Sequence, residues 1–132
     1  MIRDALIIHL TAPNGECTEL LAQTLNVQGY AIAVLNISGY LRGWDPNNEA
    51  LYLCTDICKE SFVNRSLLPV LHSITTDFNG SGSIANVSNP VWMKTNREFV
   101  NIVRLYICNE NGIVKSFPES LLKCTLVLIP VK

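Results

Sequence analysis

The sequence predicts an all-β protein, a two-sheet antiparallel sandwich, and three observations predict it. Apolar and polar residues alternate at a period of two through most of the chain, while helical spacing is sustained almost nowhere. Clusters of Gly, Pro, Asn and Asp interrupt these runs often enough to make every element short. A chain of 132 residues suits one domain, 1–132, and roughly eight strands in that length are enough for a single jelly roll of two antiparallel sheets.

Each element follows from its own pattern. Residues 5–11 (ALIIHLT) set Leu6, Ile8 and Leu10 on one face, and the Ala-Pro-Asn-Gly cluster at 12–15 ends them in a tight turn. Residues 17–27 are ambiguous. Leu20, Leu21, Thr24 and Leu25 have roughly helical spacing and residues 19–23 are good helix formers, so a short helix near 17–23 passing into a strand is expected. After Gln28-Gly29, residues 30–37 alternate Ala31, Ala33, Leu35 and Ile37 with Tyr30, Ile32, Val34 and Asn36, and the small residues suggest close packing of sheet on sheet. Residues 38–48 (SGYLRGWDPNN) read as a long surface loop.

Residues 51–58 (LYLCTDIC) resume the strand pattern, with Leu51, Leu53, Thr55 and Ile57 opposite Tyr52, Cys54, Asp56 and Cys58. A polar connection leads to a strand over 67–74, where Pro69 cannot donate to a ladder and so implies an edge or a bulge. Small polar residues and Gly make 75–90 a long loop, followed by a short strand at 91–95. In the longer strand at 100–109, Val103, Leu105 and Ile107 face the core. Asn111-Gly112 is the strongest hairpin signal in the chain because both residues tolerate positive φ; it leads into 113–117 and a turn at 117–120.

The closing run, 122–132 (LKCTLVLIPVK), is apolar on both faces: Leu122, Cys124, Leu126 and Leu128 point one way, Val127, Ile129 and Val131 the other. It is too short to span a bilayer. One face therefore fills the core and the other is expected to meet a second chain. Charged residues are only 16% of the sequence, against about 25% in ordinary soluble domains, and mean hydropathy is positive at +0.25. Oligomerisation accounts for both.

Ten Lys plus Arg balance eleven Asp plus Glu with no basic cluster, which excludes the electrostatic footprint of a nucleic-acid binder. No apolar run is long enough for a transmembrane helix, and Asp4 and His9 break up the opening apolar stretch, so neither membrane insertion nor a signal peptide is expected. The five cysteines, Cys17, Cys54, Cys58, Cys108 and Cys124, are odd in number and scattered, unlike a secreted disulfide framework. Asn-x-Ser sequons at Asn36, Asn64, Asn79 and Asn86 read as chance in a chain rich in Asn and Ser.

No catalytic constellation emerges. Cys54 and Cys58 would share a strand face near Cys108 or Cys124, but a tetrahedral metal site needs a second close pair, so the thiols read as small buried hydrophobes with no metal. His9 and His72 lie in apolar strands without a nucleophile motif, the carboxylates are dispersed, and Gly80 and Gly82 lack the lysine and helix of a phosphate loop. No enzyme and no cofactor are expected. Tyr40, Arg42 and Trp44 in the first long loop suit either a contact patch or, for Trp44, a plug at one end of the sandwich. Trp92 reads as a core or subunit-contact residue.

The wording of the strands resembles a penton-like minor capsid family encoded by adenovirus-related elements of the Polinton type. The resemblance is carried by LIIHLTAPNG (6–15), YAIAVLNIS (30–38), LYLCTDICKESFVN (51–64), SLLPVLHSI (66–74) and IVRLYICNENGIVKSFPESLLKCTLVLIP (102–130). It implies a viral single jelly roll that self-associates, as a pentamer or a trimer, and contacts other capsid proteins or a host receptor. Such a protein would be made in the host cytoplasm or nucleus and reside in the virion. On this reading Val127, Ile129, Val131 and Trp92 are the expected interface residues, and Tyr40, Arg42 and Trp44 the expected loop contacts. The alternative is a trimeric receptor-binding head, a fibre head or tumour-necrosis-factor-like jelly roll.

Overall fold

Eleven strands and no helix form among the residues described by the structure, a computed structural model covering 4–76 and 83–131. In chain order they are β1 (Leu6–Pro13), β2 (Cys17–Asn26), β3 (Tyr30–Tyr40), β4 (Leu51–Thr55), β5 (Ser61–Val63), β6 (Ser66–Leu68), β7 (Val70–Ile74), β8 (Met93–Lys94), β9 (Phe99–Asn109), β10 (Val114–Lys115) and β11 (Leu121–Pro130). One sheet runs β1-β11-β3-β8; the other runs β9-β4-β7, with β2 and β10 both pairing β9. All pairings are antiparallel. The chain passes from one sheet to the other and back, the arrangement of a jelly-roll sandwich.

The core lies between the sheets. Ile8, Leu10 and Ala12 of β1, Leu122, Cys124, Leu126 and Leu128 of β11, and Tyr30, Ile32 and Val34 of β3 meet Leu51 and Leu53 of β4 and Val103, Leu105 and Ile107 of β9. For β1, β4, β9 and β11 these are the faces that alternation assigns to the interior. The hairpin at Asn111-Gly112 forms, with Gly112 at φ 79°; Pro69 lies between β6 and β7, outside both, and β7 is an edge strand whose ladder with β4 shifts between Val70 and His72.

Four expectations are corrected. The helix near 17–23 is a strand, because residues 17–20 pair with Leu105–Ile102 of β9 and Leu25 and Asn26 resume the ladder after an irregularity. The alternation in β3 reverses at Leu35: a bulge opposite Thr125 and Leu126 puts Ile37 in the core while Ala31 and Ala33 face outward, so the alanines do not line the sheet-to-sheet contact. Strand β4 stops at Thr55, and Cys58 turns into the core while Cys54 stays on the other side, so the two do not share a face. The polar connection is a hairpin, β5–β6, turning at Asn64 with φ 53°.

Candidate functional site

The outward face of the β1-β11-β3-β8 sheet is divided in two by the register of its strands. At one end Thr125 of β11 stands between His9 and Asn36, with His9 Nδ1 and Thr125 Oγ1 3.0 Å apart. Thr11, Ser38 and Lys123 continue this polar end. One residue pair along, Val127 lies between Ile7 and Ala33, and Ile129 lies beside Ala31. Here the face becomes apolar, apart from Lys94 of β8 beside Ala31.

Of the four expected interface residues, Val127 and Ile129 stand at this end, Val131 directly follows β11, and Trp92 directly precedes β8, the edge strand of the same sheet. Val127 is nearly enclosed by its neighbours and Ile129 is half-buried, whereas Val131 is 55% and Trp92 43% exposed. Sequence reasoning missed Ile7 and Leu35, exposed at 56% and 45% on the same sheet. Ile7 was legible, since its neighbours Leu6 and Ile8 take the core face; Leu35 needed the bulge. A second apolar surface lies on the opposite sheet, where Leu20 of β2 is directly paired with Ile102 of β9, both outside the core cluster and both well exposed.

The loop after β3 divides its three candidate residues. Trp44 is buried, belongs to the core cluster, and donates from Nε1 to the Glu49 carbonyl at 2.8 Å, so it plugs the end of the sandwich and is not free for contact. Tyr40 is exposed. Arg42 is exposed too, ion-paired with Glu119, while its backbone N–H donates to Ser120 Oγ at 2.7 Å.

The cysteines are all free thiols. Cys54 and Cys108, on adjacent strands, bring their sulfurs to 3.0 Å. Burial pushes Cys58 and Cys124 up to about 12. Among the described residues no cluster of His, Cys, Asp and Glu could hold a metal ion. His72 borders a cleft of about 410 Å³ between β7 and the segment around Val87–Met93, with Ser61 and Ser73 on its wall. Burial lowers its pKa, and its Nε2 is buried without a hydrogen-bond partner. His9 is exposed.

Of the sequons, Asn86 uses Oδ1 to accept from the Ile37 and Val87 amides at 2.9 and 2.8 Å. Asn64 is exposed at its turn and Asn36 on its sheet face, while Asn79, like Gly80 and Gly82, lies outside the described residues. Among the described residues no helix is long and apolar enough to cross a membrane. The chain finds no significant match among protein-family models, curated proteins or solved structures.

Proposed function

We propose that this chain is a structural jelly-roll subunit of a virion, a penton-like or minor capsid component that assembles with copies of itself and works by contact, without catalysis. The observation that carries the reading is the apolar end of the outward sheet face, where Ile7 stands exposed beside Val127, with the exposed Val131 just after β11 and the exposed Trp92 just before β8. Burying such residues against another chain releases roughly 25 cal/mol per Å² before the costs of association are subtracted. The resemblance of 51–64 and 102–130 to the penton-like family supports the same reading.

Two apolar surfaces on opposite sheets suit one mode of assembly better than another. A head-to-tail contact presses the Ile7–Trp92 surface of one copy against the Leu20–Ile102 surface of the next, and repetition of that contact closes a ring when the rotation permits. A two-fold dimer would use one surface and leave the other wet.

Light scattering on the purified chain tests this. A pentamer is expected; a trimer would transfer the reading to a receptor-binding head, and a monomer at high concentration would overturn self-assembly. Ile7→Asp and Trp92→Asp, at exposed positions, are expected to give a folded chain of monomer mass.

A further inference from the structure

We propose that Cys54 and Cys108 form a redox pair, closing to an intramolecular disulfide that pins β4 to β9 when a small hydroperoxide reaches them. The pair would work in this way whether or not the chain is a capsid subunit. Its basis is position. Cys54 pairs in register with Tyr106, and Cys108 with Tyr52, so the two thiols are diagonal neighbours on one face of an antiparallel ladder. Diagonal residues stand farther apart than directly opposed ones, but here the sulfurs are 3.0 Å apart. A disulfide bond is about 2.05 Å long, so the sulfurs have about an ångström to travel.

The pair is also set apart from the other thiols. Both side chains lie outside the cluster that fills the sandwich, although both are buried, so bond formation pulls no core side chain from its place. Cys58 and Cys124 belong to that cluster, and Cys17 packs against it. The Cys58 thiol donates to the Thr55 carbonyl at 3.7 Å. Among the described residues no other two cysteine sulfurs are paired.

One of the two thiols donates to the other across this contact, a hydrogen bond that lowers the Cys108 pKa and, together with burial, raises that of Cys54. Either sulfur can react first and the same bond results. With Cys108 leading, its thiolate attacks the peroxide, the O–O bond breaks, and a sulfenic acid and one water form. Cys54 then attacks that sulfenic sulfur, the S–S bond forms, and the hydroxyl leaves as a second water. The two thiols lose two protons and two electrons in all, and hydrogen peroxide is reduced to two waters.

The experiment exposes the reduced full chain to hydrogen peroxide, removes the oxidant, unfolds the chain, alkylates with N-ethylmaleimide and maps the peptides by mass. Two of the five thiols are expected to become unreactive, with the peptides holding Cys54 and Cys108 joined in one species that dithiothreitol separates. Because the bond closes a loop between residues 54 apart, Tm should rise by roughly 10 °C on oxidation, and Cys54→Ser or Cys108→Ser should abolish the rise. Five alkylated thiols after oxidation, a bond to Cys17, Cys58, Cys124 or another chain, or a terminal sulfinic acid would each overturn the proposal. The mapping uses the natural chain, so it decides the matter even where a serine variant fails to fold.

Discussion

Gly39 is the residue whose side chain is most tightly forbidden. It pairs with Leu122 near the end of β3, its φ is +127°, and a Cβ built on it would run into the Leu121 carbonyl oxygen, an atom of backbone that cannot step aside without breaking the ladder. Gly39→Ala should cost about 3 kcal/mol or more, read as a fall in the urea midpoint. Gly43, at φ +86° with open space around it, supplies the control: Gly43→Ala carries the backbone strain without the collision and should cost only about 1 kcal/mol. His72 gives a second prediction at this scale. Burial lowers its pKa below the ordinary 6.5, so in mildly acidic solution the unfolded chain takes up a proton that the folded chain refuses. Stability present at neutral pH is then lost as pH falls below about 6.5, by at most about 1.4 kcal/mol per unit. Urea midpoints measured from pH 7 to pH 5 should decline for the natural chain and decline less for His72→Gln.

At the scale of elements, the β9–β10 hairpin depends on Asn109. Its Oδ1 accepts from the backbone amides of Asn111 and Ile113, both at 3.0 Å, and its own amide donates to the Ile113 carbonyl at 3.0 Å. Asn109→Ala orphans two turn amides and should cost about 2 kcal/mol, with faster hydrogen exchange at Asn111 and Ile113 as the local readout. The turn itself was legible from Asn111-Gly112; the side chain that braces it was not, because an Asn closing a strand looks like any other polar residue. The miss at β2 has a different cause. Cys17, Leu21 and Leu25 pack against the core, and a spacing of four falls on one face of a strand as well as nearly on one face of a helix. Periodicity cannot choose between them, and the ladder with β9 decides. In β3 the alternation was legible up to Val34, but its reversal depends on a bulge set by the partner strand β11. Of the candidate interface, β11 was readable because both its faces are apolar; for Cys54 the pattern left Cys108 and Cys124 as equal candidates for a neighbour, and the adjacency of β4 and β9, a fact of topology across 54 residues, selects Cys108.

For the whole molecule, the proposed self-assembly would tie stability to association. Partner copies that bind the folded chain and not the unfolded one stabilise it by mass action, so the apparent Tm of a self-assembling subunit rises with protein concentration. Each tenfold increase adds up to about 1.4 kcal/mol per contact, or a few degrees in Tm for a domain of this size. Trp92→Asp separates that contribution from internal stability: Trp92 is 43% exposed, and Met93 beside it, not Trp92, packs against the core cluster. The variant should melt at one temperature at every concentration, matching the dilute limit of the natural chain. Leu126→Ala, at the centre of the core on β11, should do the opposite, lowering Tm at every concentration through a loss of about 2–5 kcal/mol. Calorimetry over a hundredfold concentration range distinguishes the two. If the natural chain itself melts independently of concentration, the apolar end of the sheet is not buried by copies of the same chain.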